Sequence, residues 1–103
     1  MVDVRVYVFL LSNDTVKIGI SNNVQRRQAS IISHSGLDIN KSAWTERMTN
    51  AEARAIESEC HRHFAPNRTR GEFFNITFDE ACAYLQSKVV KPLLIGRKPL
   101  DWS

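Results

Sequence analysis

V-R-V-Y-V-F-L-L (residues 4–11), S-N-D-T (12–15) and V-K-I-G-I-S (16–21) decide the fold of this chain. The first run is apolar and β-branched and the third alternates apolar with polar, so each reads as a strand. The four residues between them are turn chemistry. Side chains alternate faces along a strand, so Val16, Ile18 and Ile20 share one face while Lys17, Gly19 and Ser21 share the other. Val4, Val6 and Val8 oppose Arg5, Tyr7 and Phe9 in the same way. Directly opposed residues of an antiparallel pair point to one side of the sheet. Matching the two aliphatic faces therefore requires a loop with an odd residue count, which sets Tyr7 opposite Gly19 or Lys17. One face of the hairpin is then expected to be aliphatic core. The other, with a phenol, an ammonium and a glycine gap, is expected to be open and functional.

The next residues strengthen that expectation. Ser21-Asn22-Asn23 is helix N-cap material, and V-Q-R-R-Q-A-S-I-I follows, with Val24, Gln28, Ile31 and Ile32 on one face. Arg27 falls in the first two turns. Free N–H groups at a helix start attract anions, and an Arg beside them adds a forked donor. A phosphate is expected between the Lys17/Gly19 face and this helix end, with Ser21 and Arg26 as further contacts. Taken alone, a Tyr and a Lys on the outer face of a hairpin are more often simply solvated; the helix start beside them is what shifts the balance.

Farther along, Gly36 is the expected breaker of the first helix. A third strand is expected over Ser42 to Met48, with Trp44 and Met48 on one face. T-N-A-E at 49–52 is a capping box, opening a second helix that runs from about Asn50 to Phe64 with Ala53, Ile56, Cys60 and Phe64 as its buried stripe. Glu57 lies about 100° around that helix from Ile56, at the border of the buried face. A-P-N-R-T-R-G at 65–71 reads as a loop. From His61 to Arg70 there are three Arg, two His and no acid, so His61, Arg68 and Arg70 are candidate phosphate contacts that position without reading sequence; a solvated basic loop is the plainer account. Glu72 to Ile76 is a short strand, and T-F-D-E at 77–80 is a second capping box, opening a helix with Phe78, Ala81, Cys82, Leu85 and Val89 on one side. Pro92 stops it. The remainder, with Lys91, Arg97, Lys98, Pro99 and Trp102, has no periodicity, so residues 1–91 are expected to form the domain and 92–103 a C-terminal tail. The fold class is α+β: a small mixed sheet of three or four strands with an N-terminal β-hairpin, flanked by about three helices.

Composition limits the partners. The 103 residues carry 43% hydrophobic and 24% charged side chains, ordinary for one globular core. A net charge of +3 permits a polyanion without requiring one. No stretch approaches the ~18 apolar residues of a membrane span, and M-V-D-V-R has no signal-peptide pattern. The two cysteines, at 60 and 82, fit no disulfide framework, so reduced thiols in a cytoplasmic setting are expected. A zinc site from Cys60, His61, His63 and Cys82 has unconventional spacing.

These residues resemble the GIY-YIG nuclease superfamily. R-V-Y at 5–7 stands for the first tripeptide, K-I-G at 17–19 for the second, and Arg27 lies eight residues beyond Gly19. Val24 matches the family's apolar helix position. A-R-A-I-E-S-E-C-H-R-H-F-A-P puts Glu57 on the catalytic Glu and Pro66 on the following Pro. G-E-F-F at 71–74 is similar to the G-E-W-F of the short, phage-associated branch, which also has K-I-G and the H-x-x-F seen here from His61 to Phe64. The resemblance covers Val4 to Ile76 and departs from the wider family at Arg5 and Lys17. It implies an endonuclease hydrolysing phosphodiester bonds, with DNA as the partner and RNA as the alternative. In that scheme Tyr7 takes or relays the proton of the attacking water and Lys17 lies beside it as a cation. Arg27 holds phosphate oxygens. Glu57 binds one divalent ion, Mg²⁺ or Mn²⁺. The alternatives are a module of the same fold that binds DNA or RNA with weakened or lost catalysis, and an unrelated α+β scaffold for protein contacts.

Overall fold

The computed structural model describes residues 3–96. The hairpin forms as the alternation requires. Strands β1 (Arg5–Leu11) and β2 (Val16–Ser21) pair antiparallel with Val6 opposite Ile20, Tyr7 opposite Gly19 and Phe9 opposite Lys17. The Leu11 N–H donates to the Thr15 carbonyl at 2.9 Å and the Asp14 N–H to the Leu11 carbonyl at 3.0 Å. Asp14 takes the left-handed conformation, φ 66°, which Asp tolerates better than most side chains. Helix α1 (Val24–Ser35) starts at Asn23, whose side chain accepts the Arg26 N–H, and ends at Gly36 with φ 73°. Helices α2 (Asn50–His63) and α3 (Phe78–Gln86) each begin with the expected capping box, Thr49/Glu52 and Thr77/Glu80.

The sheet is larger than expected and not mixed. Strands β3 (Ile39–Trp44), β4 (Arg68–Arg70), β5 (Phe73–Phe74) and β6 (Leu94–Gly96) complete six strands in the order β4-β5-β2-β1-β3-β6. Every pairing is antiparallel. Three of these strands span two or three residues, too few for any period to show in sequence. The basic loop accordingly contains half a hairpin, with Arg68 opposite Phe74 and Arg70 opposite Phe73. Leu94–Gly96, in the stretch assigned to a tail, pairs with β3. Arg97, Lys98, Pro99 and Trp102 lie outside the described residues. Helix α3 stops at Gln86, short of Val89. Strand β3 begins ahead of Ser42 and ends at Trp44, and Met48 meets the sheet only through a bridge to Val4. Trp44 and Met48 do not share a face: one packs with the α1 side and the other with the α2/α3 side.

The expectation that needs most correction is the open face of the hairpin. Val4, Val6, Val8, Val16 and Ile18 pack against Ala53, Cys60, Phe64, Phe74, Ala81 and Leu85 under α2 and α3. On the opposite face, Tyr7, Phe9 and Leu11 form a second core with Val24 and Ile31 of α1 and with Ile39. The centre of β1 is thus buried on both sides, from Val6 to Phe9. The physical reason is visible in the residues: V-Y-V-F-L-L is a continuous apolar run, the pattern of a strand covered twice, and α1 has an apolar stripe that must be buried somewhere. Among the described residues no helix is long and apolar enough to cross a membrane.

Thr45, just past β3, is nearly inaccessible at 1% exposure, and its hydroxyl accepts the Val6 N–H at 3.0 Å while its own N–H donates to the Val6 carbonyl at 2.9 Å. Thr45→Val keeps the shape and orphans a buried donor. It is expected to cost about 1–3 kcal/mol, read as a lower urea midpoint with an unchanged slope; an unshifted midpoint refutes the assignment.

Candidate active site

β5 covers β2 only at Val16 and Lys17. From Ile18 onward the outer edge of β2 has no strand beside it, and its backbone groups must find other partners. The Ile18 N–H donates to the Glu72 carbonyl at 3.2 Å, and the Ile18 carbonyl accepts from His61 Nε2 at 2.8 Å. His61 comes from α2, one turn after Glu57, so the two side chains stand on the same side of the helix. Glu72 comes from the link between β4 and β5. Ligand atoms of Glu57, His61 and Glu72 all lie within 4.8 Å of one another, and all three residues are half-buried.

The other face of the sheet reaches the same edge. Tyr7 stacks on Phe9, with ring centroids 4.2 Å apart, and lies across Gly19: a Cβ there would stand 2.7 Å from Tyr7 Cζ and 3.1 Å from Glu72 Oε1. Gly19 is therefore the gap through which the phenol and the Glu72 carboxylate approach each other. Lys17 Nζ sits 2.7 Å from Glu72 Oε1 and 4.8 Å from the centre of the Phe73 ring. Lys17 also lines a cleft of about 720 Å³ together with Arg27, His34, Thr69, Arg70 and Phe73, and no carboxylate lines it. A second cleft, of about 480 Å³, is lined by Asp14, Asp79 and Glu80 against a single cation, Lys41, the wrong sign for phosphate.

Electrostatics follow from these positions. Burial pushes the Tyr7 phenol well above its usual range, the Glu72 carboxylate adds to this, and Arg27 opposes it. Tyr7 accordingly keeps its proton, and the Lys17 ammonium, expected beside it as a cation, is paired with Glu72. Burial also raises the Glu57 carboxyl, with Glu72 pushing the same way and His61, Arg54 and Lys17 pulling it down. Two carboxylates and an imidazole gathered in this way suit a divalent cation.

The structure brings Tyr7, Lys17, Gly19, Glu57 and His61 together at the β2 edge and places Arg27 and Arg70 in the adjoining cleft. Other candidates make local contacts. The Ser21 hydroxyl donates to the Asn23 carbonyl at 2.9 Å and accepts the Asn23 N–H at 3.0 Å. Arg26 contributes its backbone N–H to the Asn23 cap, and the Arg68 guanidinium lies over the Phe74 ring at 5.5 Å. Cys60 is core, and His63 stacks on Tyr84 at 3.9 Å, so the four-residue zinc arrangement does not form. Sequence reasoning missed Glu72. Its signal was present in G-E-F-F, read as a similarity and not as a carboxylate aimed at Lys17.

The T5orf172 domain family matches residues 5–88. This chain belongs to that family. The domain is phage-associated and consistent with a nuclease-like or DNA-binding module. No curated protein and no solved structure matches the chain. In this T5orf172 domain the matched span runs from the first strand to the end of α3 and contains all of the residues that meet at the β2 edge.

Gly19→Ala is expected to force Tyr7 off the strand and to cost about 1–3 kcal/mol by overpacking, measured by thermal unfolding. Wild-type stability in that variant would mean that the phenol is not held against the glycine.

Proposed function

We propose that this T5orf172 domain is a divalent-metal-dependent endonuclease of the GIY-YIG type that hydrolyses phosphodiester bonds in DNA. The observation that supports it best is the meeting of Tyr7, Lys17, Glu57, His61 and Glu72 at one strand edge, beside a cleft whose charged lining is cationic. Hydrolysis of a phosphodiester requires an oriented water, stabilisation of charge on the non-bridging oxygens and neutralisation of the leaving oxygen. Arg27 and Arg70 hold the backbone in the cleft, and the Arg27 fork engages phosphate oxygens. Tyr7 orients the attacking water through its hydroxyl and relays the water's proton along that hydrogen bond to solvent, so that the phenol stays neutral. Lys17 holds the positive end of the cleft against Glu72. Glu57 would hold a Mg²⁺ or Mn²⁺ ion, which would supply Lewis-acid stabilisation of the phosphate oxygens.

The Lys17–Glu72 pair also favours a second reading. An ammonium already neutralised by a carboxylate is a weaker electrophile, and a domain that binds DNA or RNA through Arg27 and Arg70 with little or no catalysis fits it. Supercoiled plasmid with Mg²⁺ or Mn²⁺ separates the two. On the nuclease reading the plasmid is nicked, and Glu57→Gln and Arg27→Ala each lower the rate about 10²–10³-fold while leaving thermal stability intact. Binding that weakens steeply with salt, without nicking under either metal, sinks the nuclease and keeps the binding module.

A further inference from the structure

In the scheme above Glu72 pairs with Lys17 and His61 closes the strand edge, and both stand beside Glu57. Donor atoms about 2.1 Å from one ion lie about 3–4.2 Å from each other. The three side chains, with ligand atoms within 4.8 Å of one another, need only a small closure to share a cation. They come from two rigid places: one turn of α2, and the link held to β2 by the bond between the Ile18 N–H and the Glu72 carbonyl. His61 has a further feature. Its Nε2 faces the Ile18 carbonyl at 2.8 Å, and a carbonyl only accepts, so Nε2 carries a proton and Nδ1 is the nitrogen left for a metal. A backbone carbonyl that fixes the tautomer in this way is the usual support of a metal-binding imidazole.

We infer that Glu57, His61 and Glu72 together form a three-donor divalent site, two carboxylates and one imidazole, that selects Mn²⁺-like transition ions over Mg²⁺. Selectivity follows from the donor set: imidazole suits first-row transition ions, whereas Mg²⁺ prefers oxygen and keeps its waters. Glu72 is shared between this site and Lys17 through Oε1, so filling the site draws carboxylate charge away from the Lys17 ammonium at the mouth of the cleft. The inference extends the proposed nuclease by adding two ligands to the one assigned to Glu57, but metal binding is measured without any nucleic acid.

The probe is Mn²⁺ alone, added to the purified full chain. Low-temperature pulsed EPR is expected to show one bound Mn²⁺ per chain with a nitrogen coupling from the imidazole. Titration followed by the loss of free-Mn²⁺ signal is expected to give at least tenfold weaker binding in His61→Ala and in Glu72→Gln. The nitrogen coupling disappears in His61→Ala and persists in Glu72→Gln. Competition by Mg²⁺ is expected to require at least tenfold higher concentration than Mn²⁺ in the wild type and to improve relative to Mn²⁺ in His61→Ala. If His61→Ala does not fold, the wild-type coupling and the Glu72→Gln titration decide. Bound Mn²⁺ without nitrogen coupling, no Mn²⁺ binding, or unchanged affinity in Glu72→Gln overturns the three-donor site. A nitrogen-coupled ion in a protein that nicks nothing removes the nuclease reading and keeps the site. Nicking that depends on Glu57 without nitrogen coupling does the reverse.

Discussion

The Tyr7 ring lying across Gly19 is the contact on which the rest of the architecture turns. It pins the register of β1 on β2, because only glycine leaves room at the position the phenol crosses. It also ends the second core: inward of Tyr7 the face is sealed by Phe9, Leu11 and α1, and outward of it Lys17, paired with Glu72, lines the cleft. A strand buried on both faces gains apolar area from two layers but leaves no face for chemistry. The only place where both sides of such a sheet can be reached together is its edge.

That edge is shaped by how short β5 is. A two-residue strand pairs with Val16 and Lys17 and then stops. A bare strand edge is a liability, open to unwanted pairing, and here it is closed by a side chain and a link instead of by another strand. His61 and the Glu72 backbone take the two Ile18 groups, and in doing so they carry an imidazole and a carboxylate to the same spot as Glu57. Satisfying backbone polarity and assembling polar side chains are one event, which is why α2 must be positioned by its capping box and its Ala53/Cys60/Phe64 stripe before any of these groups can meet.

Much of this was legible in the residues and part of it was not. The hairpin register, the odd loop, both capping boxes and the Gly36 terminus follow from local rules, since alternation, turn chemistry and caps act within a few neighbours. The second core is hidden because Lys17 and Ser21 on β2 alternate as on an open face, while the unbroken apolar run and aromatic pair of β1 require a cover. Strands β4, β5 and β6 were hidden because two or three residues hold no period, and their pairing is decided by long-range partners. Of the polar cluster, Glu57 is legible at the border of a buried helix face and His61 among the basic residues after it, but Glu72 reaches Lys17 across 55 positions. G-E-F-F marks the Glu only as a match to a family segment, and its distant partner is set by the fold.

The arrangement of charge explains how a chain of modest net charge can treat a polyanion differently from point to point. Lys17, Arg27 and Arg70 face one cleft without an acid among its lining residues, whereas Glu57 and Glu72 converge a short distance away behind Lys17. A phosphate entering from the cation side meets attraction up to Lys17 and repulsion beyond it, so Lys17 is the boundary between the two fields. The Lys17–Glu72 pair softens that boundary. An ammonium shared with Glu72 repels a cation at the carboxylate cluster less and holds a phosphate less tightly. Any ligand that engages Glu72 on its far side restores the full charge of Lys17 to the cleft. Coupling between the two fields therefore resides in one carboxylate with two neighbours and does not need the sheet to move.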